Sequence, residues 1–254
     1  LGGYMKGTTR SYLSVSQIRK YMNCGMQYYY RYVEGMSEKM GSAVLRGSSV
    51  DNAANEHFLK QAVTNQGLTE VQFVDFAVNV HEKEQDSETF DWTKDDVTKN
   101  KSKDRTSKLA ATYHKEFGGM FKAKDVQVEL VSVDDDGEEF KGFADFITVD
   151  GIVVDNKVKK RNVTPDLTRD VQLVKYADMA NVNKVGMAVV QDLDSPKTFY
   201  HQANVTQDHK DRVNKRIQHV KSGIKNKVFM PAAEGSWICT QKWCSFWDIC
   251  EFGK

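Results

Sequence analysis

A chain of 254 residues with 40% hydrophobic side chains is long enough to bury one sizeable α/β core, alone or with an appendage. Its 36 basic and 35 acidic residues leave a formal charge of only +1, so composition argues against a generally cationic nucleic-acid binder and for a local basic groove at most. No apolar run approaches membrane-spanning length and no signal peptide is recognisable, which predicts a soluble, intracellular protein with no membrane partner.

The opening Leu1-Gly-Gly-Tyr-Met5 reads as a tag remnant and is set aside. Ser14 can cap a first helix with apolar positions at Val15, Ile18 and Met22, and residues 12–33 are expected to be helical. This stretch holds Cys24 and the aromatic run Tyr28–Tyr32, a packing cluster or, less simply, a base-stacking surface. A second helix is predicted over 48–64, beginning near Ser48 or Ser49 and carrying Asp51 in its first turn, where an acid also suits the helix dipole. Residues 68–106 are highly charged and read as helical with exposed loops. Lys108 to Met120 reads as a further helix ended by Gly118-Gly119, so 68–120 forms a charged helical insertion before the sheet. Strands are expected at 125–133, 139–148 and 152–159, the first two joined by Asp134-Asp-Asp-Gly137. A helix around Gln172 follows, with an apolar stripe at Leu173, Val174, Ala177 and Ala180. Then come a buried strand from Val185 to Gln191, its antiparallel partner from Thr198 to Val205, and a helix over 207–223.

The hairpin around Asp150-Gly151 holds the most chemistry. A two-residue turn makes paired residue numbers sum to 301 and puts Asp145 and Asp155 on opposite faces. A three-residue loop, Val149-Asp150-Gly151, makes the sum 300, sets Asp145 opposite Asp155 and leaves Lys157 on their face. Gly151 stands where such loops take a left-handed residue, so the three-residue loop is predicted. Facing carboxylates repel unless a cation lies between them, and Mg²⁺ or Mn²⁺ prefers oxygen ligands. An adjacent lysine can orient a water or steady charge on a phosphate. A solvated strand end could also read Asp-Asn-Lys, but Asp155 follows the apolar Ile152-Val153-Val154 of a buried strand. Lys159, Lys160, Arg161, Arg169 and Lys175 flank this site and are candidate phosphate contacts, unless they are ordinary surface charge.

Of the four cysteines, three lie at 239, 244 and 250 and one far upstream at Cys24. A disulfide framework is not expected in so long a chain with no secretory mark. Four thiolates can hold zinc or an iron–sulfur cluster, and buried unligated thiols are the remaining alternative.

The segment from Gly142 to Lys157 resembles the PD-(D/E)xK nuclease superfamily, in particular its RecB-like exonuclease branch: Asp145 matches the first aspartate, and Asp155 and Lys157 the acidic-x-Lys element. The resemblance implies that the backbone carbonyl of Asn156 joins the metal shell. It also matches Gln172 and Tyr176, four apart on one helix, to a Gln-x-x-x-Tyr element that aligns water and DNA. Upstream, Asp51 stands at the family's histidine position and Asn55 at its glutamate position, so Asp51 is implied as a third ligand, with Glu56 and His57 off register. One cysteine upstream and three near the C-terminus, the last two separated by five residues, resemble family members with a [4Fe–4S] staple, such as AddB-type nuclease domains and a CRISPR adaptation nuclease. Here the usual proline after the first cysteine is Gly25.

The resulting expectation is an α/β, restriction-endonuclease-like core. A central mixed sheet is flanked by helices, preceded by a helical portion and closed by the cysteine segment, within a single nuclease domain over 12–254. Asp145, Asp155, Lys157, Gln172 and Tyr176 are implied as catalytic residues, and Asp51, Asp145, Asp155 and the Asn156 carbonyl as ligands of Mg²⁺ or Mn²⁺. Cys24, Cys239, Cys244 and Cys250 are implied as cluster ligands, with zinc as runner-up. The implied activity is exonucleolytic cleavage of linear or single-stranded DNA ends in recombination, repair or phage DNA processing. It would take place in the cytoplasm of a bacterium or phage-infected cell, with a recombination protein or helicase as a possible partner. A structure-selective endonuclease and a catalytically weak DNA-end-binding scaffold are the competing readings.

Overall fold

The structure is a computed structural model that describes residues 12–94, 97–134, 137–161 and 164–253. The Leu1–Met5 segment and the middle of the anticipated 134–137 turn lie outside the described residues. In chain order the elements are α1 (Val15–Asn23), α2 (Gly25–Tyr28, continued by a π turn over Tyr29–Val33), α3 (Ser42–Thr64), α4 (Glu70–Glu84) and α5 (Lys99–Phe117). They continue with β1 (Ala123–Val133), β2 (Glu139–Thr148), β3 (Ile152–Lys159), α6 (Val171–Met179), β4 (Lys184–Gln191), β5 (Lys197–Asn204) and α7 (Gln207–Lys225). The strands lie in one sheet in the order β1-β2-β3-β4-β5. Pairing is antiparallel for β2–β3 and β4–β5 and parallel for β3–β4, so the sheet is mixed. A parallel pair cannot be joined by a tight turn, and α6 provides the crossover.

The chain divides into two compact units. Among the described residues, one draws on 40–130 and 143–210 and the other on 12–39, 131–142 and 211–253, so β1 and β2 contribute to both. In the larger unit, side-chain alternation sorts the buried strands into two faces. Phe146, Ile152, Val154, Ala188 and Val190 pack with Val50 and Phe58 of α3, Phe73 of α4 and Leu109 and Tyr113 of α5. The intervening Val153, Val185, Met187 and Val189 are also buried, and α6 packs on β3 and β4 with Leu173, Val174 and Ala177 buried.

Two helices begin earlier than the sequence suggested. α3 starts at Ser42 instead of Ser48 or Ser49, running through Gly47. Its first turns are fixed by a buried polar network that local pattern does not reveal. Arg46 donates through Nε and Nη2 to Asp192 Oδ2 (3.0 and 2.6 Å) and through Nη1 to Ser42 and Ser102 (2.7 and 3.1 Å). α5 starts at Lys99 instead of Lys108, taking in the charged run to Arg105. Thr98 caps it, and Ser102, Thr106, Leu109, Ala110, Tyr113 and Phe117 form its buried stripe; the small hydroxyl residues hid the first two turns of that stripe.

In the smaller unit, α1 begins with a reciprocal Ser14–Gln17 capping box. Leu13 bridges to Phe140, and the α7 residues Val213, Ile217 and Val220 are buried. Gly25 N–H donates to Met230 C=O at 2.7 Å, and Tyr28 stacks on Phe229 with ring centroids 6.1 Å apart. Among the described residues no helix is long and apolar enough to cross a membrane.

The β2–β3 hairpin closes as a three-residue loop. Phe146 pairs with Val154 and Ile147 with Val153, both summing to 300. Gly151 N–H donates to Thr148 C=O at 3.0 Å, and Gly151 has φ +74°. A Cβ there would meet nothing closer than Val182 at 3.8 Å, so the left-handed backbone alone calls for glycine. Gly151→Ala should therefore lower stability by about 1–2 kcal/mol, read as a fall in the thermal midpoint.

Candidate active site and cysteine cavity

The paired residues end at Phe146 and Val154; the same register continued one residue sets Asp145 across from Asp155, and β3 alternation divides the Asp-Asn-Lys triplet between two faces. Asp155, 3% exposed, accepts from Lys157 Nζ at 2.7 Å and from Gln172 Nε2 of α6 at 2.8 Å, both on Oδ1. Asn156, 7% exposed, turns its side chain the other way. Its Oδ1 accepts from the Tyr113 hydroxyl of α5 at 2.6 Å, and its Nδ2 donates to Asp51 Oδ1 of α3 at 3.2 Å. Its backbone N–H donates to Asp145 Oδ2 at 2.7 Å. In an extended strand the C=O of a residue points to the same side as its N–H, so the Asn156 carbonyl also lies toward Asp145. Asn55, one turn beyond Asp51, donates to Asp51 Oδ2 at 3.4 Å. Tyr176 is buried one turn beyond Gln172 on α6.

The charges are crowded. Burial, then the negative charges of Asp51 and Asp155, push the Asp145 carboxyl well above the usual carboxylate range, against the opposing pull of Lys157 and the Asn156 N–H. Asp51 is raised chiefly by burial, partly offset by Asn156 and Lys157. Such a site stores electrostatic strain that a divalent cation relieves, and its hard oxygen donors suit Mg²⁺ or Mn²⁺. Among the described residues no group of three or more His, Cys, Asp or Glu is placed to hold a metal ion. The carboxylates here are held by Asn156, Lys157, Gln172 and Asn55 instead.

The off-register His57 is structural. It is buried; Nδ1 accepts from Leu68 N–H at 3.1 Å, which leaves Nε2 to donate to Gly118 C=O at 3.0 Å. Of the basic candidates, Lys160, Arg161 and Arg169 are exposed, with Arg169 3.3 Å from Asp166. Lys159 is half-buried, its Nζ 3.3 Å from Met187 Sδ. Lys175 is different: its side chain is 12% exposed, 3.7 Å from Asp178, and burial lowers its pKa, so it is poorly presented to a phosphate. Sequence reasoning gave Asn156 only a carbonyl and missed Tyr113 altogether. The available signal was a polar residue within a buried strand, which must find a partner.

In the smaller unit Cys24, Cys239, Cys244 and Cys250 line one small cavity with Gln27 and Phe246. All four are free thiols. Burial and then the neighbouring sulfurs of Cys24 and Cys250 raise the Cys239 thiol; in Cys244 the same effects win over hydrogen bonds from Phe246 and Gln27. Among the described residues these cysteines do not form a group placed to hold a metal ion; they are neighbouring free thiols around one cavity.

A mixed five-stranded sheet flanked by helices, with an acidic-x-Lys hairpin strand at its centre, defines a restriction-endonuclease-like α/β fold. The chain belongs to the PD-(D/E)XK nuclease superfamily, whose model matches residues 12–251. It is similar in fold to a protein from Eubacterium rectale named as a candidate exonuclease, at 16% identity and a TM-score of 0.60, covering 90% of this chain and 86% of that one. A second solved structure, SSO0001, aligns at 14% identity and a TM-score of 0.40 over 94% of this chain and 96% of its own. Nothing among curated proteins matches the chain.

Proposed function

We propose that this protein is a metal-dependent deoxyribonuclease of the RecB-like type, acting exonucleolytically on linear DNA ends in recombination, repair or phage DNA processing, with 12–254 working as one nuclease domain. The observation that carries this reading is the 300 register of the hairpin, which, continued one residue past Phe146 and Val154, sets Asp145 across from Asp155, while Lys157 Nζ lies 2.7 Å from Asp155. Asp51, Asp145, Asp155 and the Asn156 carbonyl would hold Mg²⁺ or Mn²⁺, which supplies Lewis acidity toward phosphate oxygens and lowers the pKa of water. Lys157 can then orient the attacking water and balance charge accumulating on the phosphate. Gln172 fixes the Asp155 carboxylate from α6, and Tyr176 supports that helix face. Lys159, Lys160, Arg161 and Arg169 supply phosphate contacts, with Lys175 the weakest of the five candidates.

In the same reading Cys24, Cys239, Cys244 and Cys250 ligate a structural [4Fe–4S] cluster. Zinc is the alternative occupant of this thiolate set. Recombination proteins or a helicase are the partners such an enzyme would work beside.

The reading is tested with Mn²⁺ and two substrates, linear duplex and covalently closed circular DNA. Loss of the linear form, prevented by chelation and by Lys157→Ala, with the circle left intact, is the expected result. Cleavage of the circle would make it an endonuclease. Binding to ends without metal-dependent cleavage would make it an end-binding scaffold and retire the nuclease assignment.

A further inference from the structure

We propose that Tyr113 and the Asn156 side chain are positioning residues that hold Asp51 so that its carboxylate keeps one oxygen for a divalent cation, beside the Asp145 carboxylate that the Asn156 backbone N–H holds. This inference rests on the metal-dependent reading given above.

One residue, Asn156, reaches both carboxylates. Its backbone N–H takes Asp145 Oδ2, and among the described residues nothing donates to Asp145 Oδ1. Its side-chain amide takes Asp51 Oδ1, and Asp51 Oδ2 has only the long 3.4 Å contact from Asn55. The amide can do this in only one of its two orientations, because an oxygen in place of the nitrogen would face a carboxylate. Tyr113 selects that orientation, since its hydroxyl donates to Asn156 Oδ1 at 2.6 Å.

Tyr113 is itself immobilised. It is 1% exposed, stacked on Phe73 at 5.6 Å with 10° between ring planes, and set edge-on to Phe117 at 5.2 Å. Its hydroxyl donates to the amide oxygen, which can only accept. A rigid ring thus fixes an amide, and the amide fixes Asp51 on α3, while the backbone N–H of the same residue holds Asp145 on β2. Partners just outside the ligand shell commonly tune metal affinity by about 10–100-fold.

The experiment measures Mn²⁺ binding to the full-length protein without DNA, by the electron paramagnetic resonance signal of free Mn²⁺. Tyr113→Phe keeps the ring and its stacking and removes only the hydroxyl. It is expected to weaken Mn²⁺ binding by about tenfold. Asn156→Ala should weaken it at least as much, and Tyr113→Phe with Asn156→Ala no further, because the tyrosine acts through the amide. If Tyr113→Phe shifts only the thermal midpoint and binds Mn²⁺ as the parent does, the tyrosine is structural and the proposal fails. Additive losses in the double variant overturn it equally. Should Asn156→Ala fail to fold, Tyr113→Phe alone decides. A parent protein that binds no Mn²⁺ would sink the metal reading itself, which is a different result.

Discussion

Asp145→Asn is expected to abolish most metal-dependent DNA cleavage, by about 10²–10³-fold, while making the metal-free protein more stable. Both effects have one origin. Asp145 sits beside Asp51 and Asp155, and its carboxyl is held well above the usual range by burial and by those two charges. Asparagine has the same shape and can still accept from the Asn156 N–H, but it brings no charge. A cation site loses an anionic ligand; an empty site loses a source of repulsion. The gain should be about 1 kcal/mol, or roughly 2–4 °C in the thermal midpoint of a chain this size. The pH dependence follows from the direction of the shift. A carboxyl whose folded pKa exceeds its unfolded value contributes stability below the unfolded value and loses it as pH rises through the folded one. The advantage of the variant should accordingly be greatest near neutral pH and shrink on acidification. Melting curves across pH with and without Mn²⁺ test this, with Mn²⁺ stabilising the parent far more than the variant. A variant that is fully active, or less stable than the parent at every pH, would contradict it.

If the four cysteines ligate a cluster as proposed, Cys250→Ser should remove it and destabilise the unit that contains it. Protein purified without oxygen is expected to show a broad absorbance shoulder in the visible blue and close to four irons per chain. The variant should show neither, and should melt about 10–20 °C lower. The size of that drop reflects chain connectivity. Cys24 and Cys239 are separated by roughly 200 residues, and cross-linking so long a loop through a common centre stabilises by about 5 kcal/mol in the chain-entropy account. Zinc without iron would keep the ligand set and replace the cluster. Neither metal would leave three buried thiols and the half-buried Cys239 with a packing role only.

The elements that the sequence disclosed best were those whose pattern is local. The β2–β3 hairpin was legible to the register because Asp150-Gly151 and the alternation on either side admit few loop lengths. β4 and α6 were plain from their apolar runs. What stayed hidden was held by partners distant in the chain. The start of α3 depends on Arg46 meeting Asp192, 146 residues away. The first turns of α5 bury Ser102 and Thr106, which no hydropathy pattern marks as core. In the site, Asp145, Asp155 and Lys157 could be placed by counting along one hairpin. Tyr113 could not, because its relation to Asn156 exists only after α5 has packed on the sheet.

The smaller unit joins segments far apart in sequence, among the described residues 12–39, 131–142 and 211–253. On a ribosome this has a cost in time. Once α1 and Cys24 have emerged, the segments they pack with remain unmade for roughly 10–40 s at ordinary bacterial elongation rates. Throughout that interval Tyr28 has Tyr21 and Tyr32 of its own segment to pack on but not Phe229. Newborn chains should thus depend on a chaperone holding α1 and α2 until residues 211–253 are made.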